Sequence, residues 1–345
     1  MGAHVNADLS EQFHAFAGPE CRETSPLYCS LTEAIASDAE ILNIASQARA
    51  GQPVPNLLFA AVHYLLVERP VQPLADYYAT CTAEPEDPAE AFPAFKAFVL
   101  QRQREIVELL QTRLVQTNEV RRCACLFPAF MHALRMVDPL PIALLEIGCS
   151  AGLNLLWDRY RYAYDDSGKE FGDRDSPTLI TSEFLGKRPA GMDDSLPSVA
   201  HRIGIDLHPI DTSKPTEVNW LRALIWPEQH ERRQLLEAAI RRQQEVEFEL
   251  RTGDGFADIS TIAAEIPADT LLCIFHTHVA NQISREKREH FLETIRELGR
   301  HRDLLHLYNN LHDAHLRLQV FRKGILTRQT LANTDGHGRW LEWLA

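Results

Sequence analysis

The segment 144-LLEIGCSAGLNLLWDRY-160 carries the densest set of residues able to do chemistry. Gly148-Cys149-Ser150-Ala151-Gly152 has the G-x-S-x-G spacing that presents a nucleophilic serine on a strained strand-to-helix turn. Taken from Glu146, the same letters read E-x-G-x-S-x-G, a glycine turn whose backbone N–H groups would face a nucleotide-like ligand at a helix start. Two more acids close apolar runs: Asp206 in 204-GIDLHPID-211 and Asp254 in 253-GDGFADI-259. His276 and His278 end a further run as F-H-T-H. Alternate residues of a strand share a face, so both imidazoles would point into one pocket as a general base or acceptor-orienting pair. Asn118 and Glu119, in Gln116-Thr117-Asn118-Glu119, read either as a helix cap with a first-turn charge or as pocket groups at the sheet edge.

These residues need strands to hold them. From Ile142 onward short apolar runs alternate with helical stretches: strands at 142–148, 202–207, 246–253, 270–276 and 303–309, helices at about 152–161, 217–245 and 285–300. That alternation predicts a mostly parallel sheet covered on both faces. The runs 315–321 and 325–332, joined by Arg322-Lys323-Gly324, predict a closing antiparallel hairpin. Residues 1–140 show helical spacing throughout, broken at Gly51-Gln52-Pro53-Val54-Pro55 and 84-EPEDPAE-90, with a long helix from Pro93 to about Leu114. The expected domains are therefore a helical 1–140 and an α/β 141–345. A long insert, 163–201, would displace a ligand or close over it, and the tail 335–345 would add a strand or a short helix.

The two chemistries of the loop make different demands. A nucleophile elbow needs an earlier strand to supply an oxyanion-hole loop, and the sequence before Ile142 offers helices. Its triad would join Ser150 to an acid such as Asp254 and a late histidine, His312 or His337. A dinucleotide fingerprint would want glycines at 148, 150 and 153; Ser150 and Leu153 stand there instead, so NAD and FAD fit poorly. An acid ending the second strand suits a ribose diol, since a carboxylate accepts two hydrogen bonds at once.

Three such motifs in order, each at a strand's carboxyl end, resemble the Rossmann-like S-adenosylmethionine-dependent methyltransferase superfamily over about residues 140–335. The resemblance implies a seven-stranded, mostly parallel sheet with a terminal antiparallel hairpin, preceded by a helical domain covering its carboxyl edge. It implies S-adenosylmethionine held by Glu146, Gly148, Ser150, Gly152, Asn154, Asp206, Asp254 and Gly255, with Phe256 a candidate for stacking on adenine. It places the handling of a small-molecule acceptor at His276, His278, Asn118 and Glu119. The whole chain, from 24-TSPLY-28 through 55-PNLLFAAVHYLL-66 and 115-VQTNEVRR-122 to 336-GHGRWLEWL-344, resembles a bacterial family known as a domain of unknown function, which implies no substrate. Two departures stand out. Ser150 replaces the middle glycine, and Glu146 lies about three times the usual roughly 20 residues from the acid of the second strand. A serine hydrolase using Ser150 and a non-catalytic nucleotide binder are the alternative readings.

Composition excludes other classes. The 345 residues carry a formal charge of −13, which disfavours a nucleic-acid backbone as partner. Seven cysteines without a C-x-x-C pair read as reduced thiols of a cytoplasmic protein. The N-terminus lacks the basic and apolar regions of a secretory signal, and the apolar stretch Leu57 to Val67 is too short to span a bilayer. No carboxylate lies close in sequence to His276 and His278, so no metal is expected there.

Overall fold

The computed structural model describes residues 2–165 and 167–345. They form two compact units, Met1–Thr117 with Ser213–Gln234, and Asn118–Thr212 with Leu235–Ala345.

The first unit opens with seven helices: α1 (Gly2–Phe16), α2 (Pro19–Thr24), α3 (Pro26–Ile35), α4 (Ala39–Ala45), α5 (Val54–Glu68), α6 (Ala91–Gln101) and α7 (Gln103–Thr112). Proline in the first turn of α2, α3 and α5 starts them where a backbone N–H has no helical partner anyway. The core is aromatic, with Tyr28 stacked on Phe59 at 4.2 Å. The long helix expected from Pro93 to Leu114 is two helices that part at Arg102, where φ is −105° and ψ 19°. The chain next builds α8 (Cys123–Leu134), in the second unit, and returns to the first with α9 (Pro215–Ala223). Trp220 of α9 donates from Nε1 to the Leu114 carbonyl at 2.8 Å, so this late segment belongs with the early helices. The expected helix 217–245 is interrupted at Trp226-Pro227 and resumes as α10 (His230–Gln243).

A boundary at 140 therefore does not describe this chain. Residues 118–140 go with the second unit because α8 packs there: Phe130 stacks on Trp157 at 4.6 Å and meets Phe275 edge-on at 5.4 Å.

The second unit holds twelve strands among its described residues: β1 (Ile142–Ile147), β2 (Arg161–Ala163), β3 (Glu170–Gly172), β4 (Leu179–Thr181), β5 (Glu183–Leu185), β6 (Val199–Asp206), β7 (Glu249–Thr252), β8 (Leu271–His276), β9 (Leu304–Tyr308), β10 (Leu316–Arg322), β11 (Ile325–Thr334) and β12 (Trp340–Trp343). Nine of them form one mixed, mostly parallel sheet in the order β5-β12-β11-β10-β9-β8-β1-β6-β7. Seven strands were expected. The tail supplies β12 and the insert supplies β5, which pair in parallel through Trp340 and Glu183. The insert also supplies β3 and β4, which flank β2 at its start in a separate three-stranded sheet, β3-β2-β4.

At the centre, β1 pairs in parallel with β6 on one side and β8 on the other, so chain order reverses between β1 and β8. Ligands of open α/β sheets bind outside the carboxyl ends of the strands at such a reversal. Side-chain alternation divides the faces. Leu145, Ile147, Ile203, Ile205 and Ile274 enter a core with α11 (Gly255–Glu265) and α12 (Arg285–His301). Glu146, Arg202 and Asp206 occupy the alternate positions of β1 and β6. There Arg202 makes two 2.6 Å bonds to Asp158, both side chains 4% exposed, and also donates to the Leu155 carbonyl. No helix among the described residues is long and apolar enough to cross a membrane.

Removing one partner from a buried pair strands the other charge, which costs about 3–5 kcal/mol. Asp158→Ala should therefore lower the urea-unfolding free energy by that amount. A loss under about 1 kcal/mol, the worth of an exposed pair, would show that water reaches Arg202.

Candidate functional site

The loop after β1 is stitched to the end of β6. Gly148 and Cys149 donate their N–H groups to the Ile205 carbonyl at 2.8 and 3.3 Å. Gly148 has φ 71°, and a β-carbon there would lie 2.7 Å from Val279 Cγ2, so both the turn and the contact demand glycine. Ser150 takes the same left-handed conformation, φ 51°, without glycine's freedom. Its N–H donates to Asp206 Oδ2 at 2.9 Å and its carbonyl accepts from Ile210 N at 3.0 Å. Asp206 Oδ1 accepts the His208 N–H at 2.9 Å. Asp206 is thus a buried carboxylate oriented by two backbone donors.

Within the turn the N–H groups of Gly148, Cys149, Ser150 and Gly152 bond inside the chain, where those of residues 150–152 were expected to face a ligand. Gly152 donates to the Cys149 carbonyl at 2.7 Å, and Leu153 donates to Asn118 Oδ1 at 3.0 Å. Asn118 is a cap, but for the segment 153–159 and not for its own helix. That segment is a 3-10 helix, where an α-helix was expected: Leu155 bonds back to Gly152 and Leu156 leaves helical geometry at φ −100°, ψ 17°.

Glu146 sits inside this frame, 2% exposed. Oε1 accepts from Asn154 Nδ2 at 3.4 Å, and Asn154 Oδ1 accepts from Cys123. Oε2 is buried with no hydrogen-bond partner. Burial raises the Glu146 carboxyl well above the usual carboxylate range; the Asn154 bond opposes this, the nearby Asp206 charge adds to it, and Arg122 opposes it. Asp254 caps α11 by accepting from Phe256 N at 3.1 Å, with Lys287 at 3.4 Å, and Gly255 is the first residue of that helix. Phe256 lies in the α11–α12 core against Phe291 at 4.9 Å.

The remaining polar groups come from segments 200 residues apart. Glu119, 3% exposed, caps a short 3-10 turn and holds His337 Nδ1 at 3.1 Å. Arg122 Nε donates to the Gly336 carbonyl at 2.9 Å. Gly338, at φ 72°, lies so close that a β-carbon would approach the Arg121 carbonyl to 2.5 Å. Asp335 takes the His337 and Arg339 N–H groups at 3.1 and 3.0 Å, fixing the turn that presents the imidazole. The Arg339 guanidinium and these N–H groups outweigh burial and pull the Asp335 carboxyl down to about 2.

The two strand-end histidines do not share a pocket. His276 alternates with Leu272 and Ile274, so it enters the α11–α12 core, where Phe256, Phe291, His306 and Tyr308 surround it. His278 lies past the strand, at φ 56°, where its N–H donates to Asn309 Oδ1 at 2.9 Å. Two amide nitrogens flank the ring, Asn309 Nδ2 at 3.3 Å from Nε2 and Asn310 Nδ2 at 2.9 Å from Nδ1. Burial, then the charges of Arg122 and His337, lower His278 to about 4. It is a neutral, fixed group at physiological pH. Among the described residues no cluster of three or more His, Cys, Asp and Glu could hold a metal ion.

A family model described as "Uncharacterized protein conserved in bacteria (DUF2332)" matches residues 10–343. The chain belongs to this family. No curated protein and no solved structure gives a significant match.

In this DUF2332 chain the structure brings together Asn118, Glu119, Glu146, the 148–152 turn, Asn154 and Asp206, with Asp254 at the end of the outer strand. It separates His276 from them. In sequence Arg122 has the look of a helix start and Asn309 of a strand end, and Asn310 carries no signal. For the hydrolase alternative, β1 is the first strand among the described residues, so no earlier strand precedes the Ser150 turn.

His276 Nε2 and His306 Nε2 lie 3.2 Å apart, and His306 Nδ1 faces Gln319 Oε1 at 3.4 Å. Burial holds His306 near 3, and burial with the neighbouring imidazole holds His276 well below 6.5. The unfolded chain takes up protons below about 6.5 while the folded pair does not, so stability is full above that pH and falls towards 3. Each imidazole contributes about 1.4 kcal/mol per pH unit over that range. Urea unfolding at pH 7 and 5.5 should show His306→Gln losing about 1 kcal/mol less on acidification than the parent. Equal losses would mean that His306 is protonated in the folded state.

Proposed function

We propose that the second unit binds S-adenosylmethionine at the carboxyl edge of β1, β6 and β7 and directs its methyl group to a small acceptor. One observation carries the reading. At the reversal of strand order, the Gly148–Gly152 turn meets two buried carboxyl groups, Glu146 with an unpartnered oxygen and Asp206 gripped by backbone N–H groups. Buried polar atoms ordinarily have partners, so an orphan at a ligand-binding edge favours a ligand that supplies one. The parallel order β7-β6-β1-β8-β9 follows, by chain position, the 3-2-1-4-5 part of Rossmann-like sheets, with β10 and β11 added as an antiparallel hairpin and β5 and β12 beyond them.

In this reading Asp206 takes the ribose hydroxyls, since its orientation is set before the ligand arrives. Glu146 and Asn154 stand on the same face for the polar end of the cofactor, and Asp254 stands at the rim. The cofactor, when bound, supplies an activated methyl group. The chain's own part is positioning the acceptor, an effect worth up to about 7–11 kcal/mol in favourable cases. The base shifts from the strand-end histidines to His337, whose side chain is 36% exposed while Glu119 holds Nδ1. In this role the imidazole takes the acceptor's proton while Glu119 orients the ring. His278 and Asn309 would orient the acceptor without changing charge.

Calorimetry tests the binding half without knowing the acceptor. S-Adenosylmethionine should bind, NAD should not, and Asp206→Asn should weaken binding by about ten- to a hundredfold, the worth of a charged hydrogen bond. Ser150→Gly should keep binding, because glycine suits φ 51° better. No heat at millimolar ligand would remove the cofactor from the account.

A further inference from the structure

The first unit has a cavity of its own. About 300 Å³ in volume, it is lined from α5 by His63, Tyr64 and Glu68, and from the 213–234 segment by Asn219, Arg222 and Arg233. That is the lower size range for small-molecule pockets. Its floor is closed and uncharged. His63 is fully buried, with Nδ1 on the Ala223 carbonyl at 3.1 Å and Nε2 on Thr80 Oγ1 at 2.9 Å. Burial, against the Ala223 bond and with help from the Arg233 charge, holds its pKa near 4.

The walls are cationic. Arg222 donates to Asn219 Oδ1 at 2.8 Å, which fixes the direction of its guanidinium. Arg233 is half-buried and lines the cavity, and its charge acts on both His63 and Cys81. It has no carboxylate partner among the described residues. Acids outnumber bases 48 to 35 in this chain, so a cavity-lining guanidinium without an acid is an exception to its own composition. Glu68 stands exposed at the mouth, and Tyr64 with Val67 gives an apolar wall.

We propose that this cavity binds a small apolar α-amino acid, its carboxylate on Arg233 beside Arg222, its ammonium at Glu68 and its side chain against Tyr64 and Val67. The guanidinium fork matches a carboxylate. The acid at the mouth disfavours phosphate, whose second charge it would repel, and favours a zwitterion.

The test is calorimetric titration of the full chain with L-leucine, 4-methylpentanoate (leucine without its amino group) and inorganic phosphate. Leucine should bind more tightly than 4-methylpentanoate by at least tenfold, and phosphate not detectably. Arg233→Gln should abolish leucine binding, while Glu68→Gln should equalise leucine and 4-methylpentanoate. Circular dichroism should show both variants folded. Asp206→Asn should bind leucine like the parent, which separates this cavity from the proposed cofactor edge. Absence of leucine binding at millimolar concentration, or binding unchanged in Arg233→Gln, would overturn the proposal. Phosphate binding that displaces leucine would overturn the choice of ligand.

Discussion

The carboxylate of Asp206 on the N–H of Ser150 is the contact on which the second unit's organisation depends. Ser150 occupies a left-handed conformation that costs a non-glycine residue about 1–3 kcal/mol. The carboxylate on its N–H and Ile210 on its carbonyl hold it there from both ends. With that clasp in place the turn cannot relax into a regular helix. Gly152 and Leu153 are then committed to Cys149 and Asn118, and Asn154 is brought over Glu146. A single charged group at the end of β6 thus fixes the loop of β1, the cap from residue 118 and the surroundings of a second acid. Its neighbour Glu146 accepts the consequence, a buried carboxyl with one oxygen unpartnered.

The same edge is completed from outside the sheet. Glu119 and Arg122 precede β1 by some twenty residues, and the 335–339 turn follows β11, yet the two segments interlock through Gly338, the Gly336 carbonyl and the Glu119–His337 pair. Burial of Glu119 strengthens its hold on the imidazole, since the attraction grows as water is excluded. This is a construction suited to holding the imidazole in one orientation. It differs from the strand-end histidines, which burial keeps neutral, His276 in the α11–α12 core and His278 between the Asn309 and Asn310 amides.

Much of the sheet was legible because its strands are short apolar runs bounded by glycine, proline or charge: β1, β6, β8 and β9 fall within a few residues of their expected places. Glu146, Asp206 and Asp254 were readable for the same reason, as acids where such runs stop. What was not legible depended on contacts distant in sequence. Asn118 has the look of a cap for its own helix, and nothing local reveals that it caps residues 153–159. The three-residue strands of the insert are too short to carry a period, and β5 exists only because β12 offers an edge. His337 was one histidine among fifteen until the fold set it against Glu119. Alternation misplaced His278, because the chain turns left-handed immediately after His276 and the period of two ends there.

The central claim is that the carboxyl edge of β1, β6 and β7 is the ligand site of the second unit. Amide hydrogen–deuterium exchange with and without S-adenosylmethionine addresses it most directly, because exchange reports protection segment by segment. The account predicts slower exchange at residues 148–153, 206–210 and 253–256, with the 335–339 turn slowed as well and the three-stranded sheet of the insert unchanged. Protection confined to other segments, or none at saturating ligand, would contradict it.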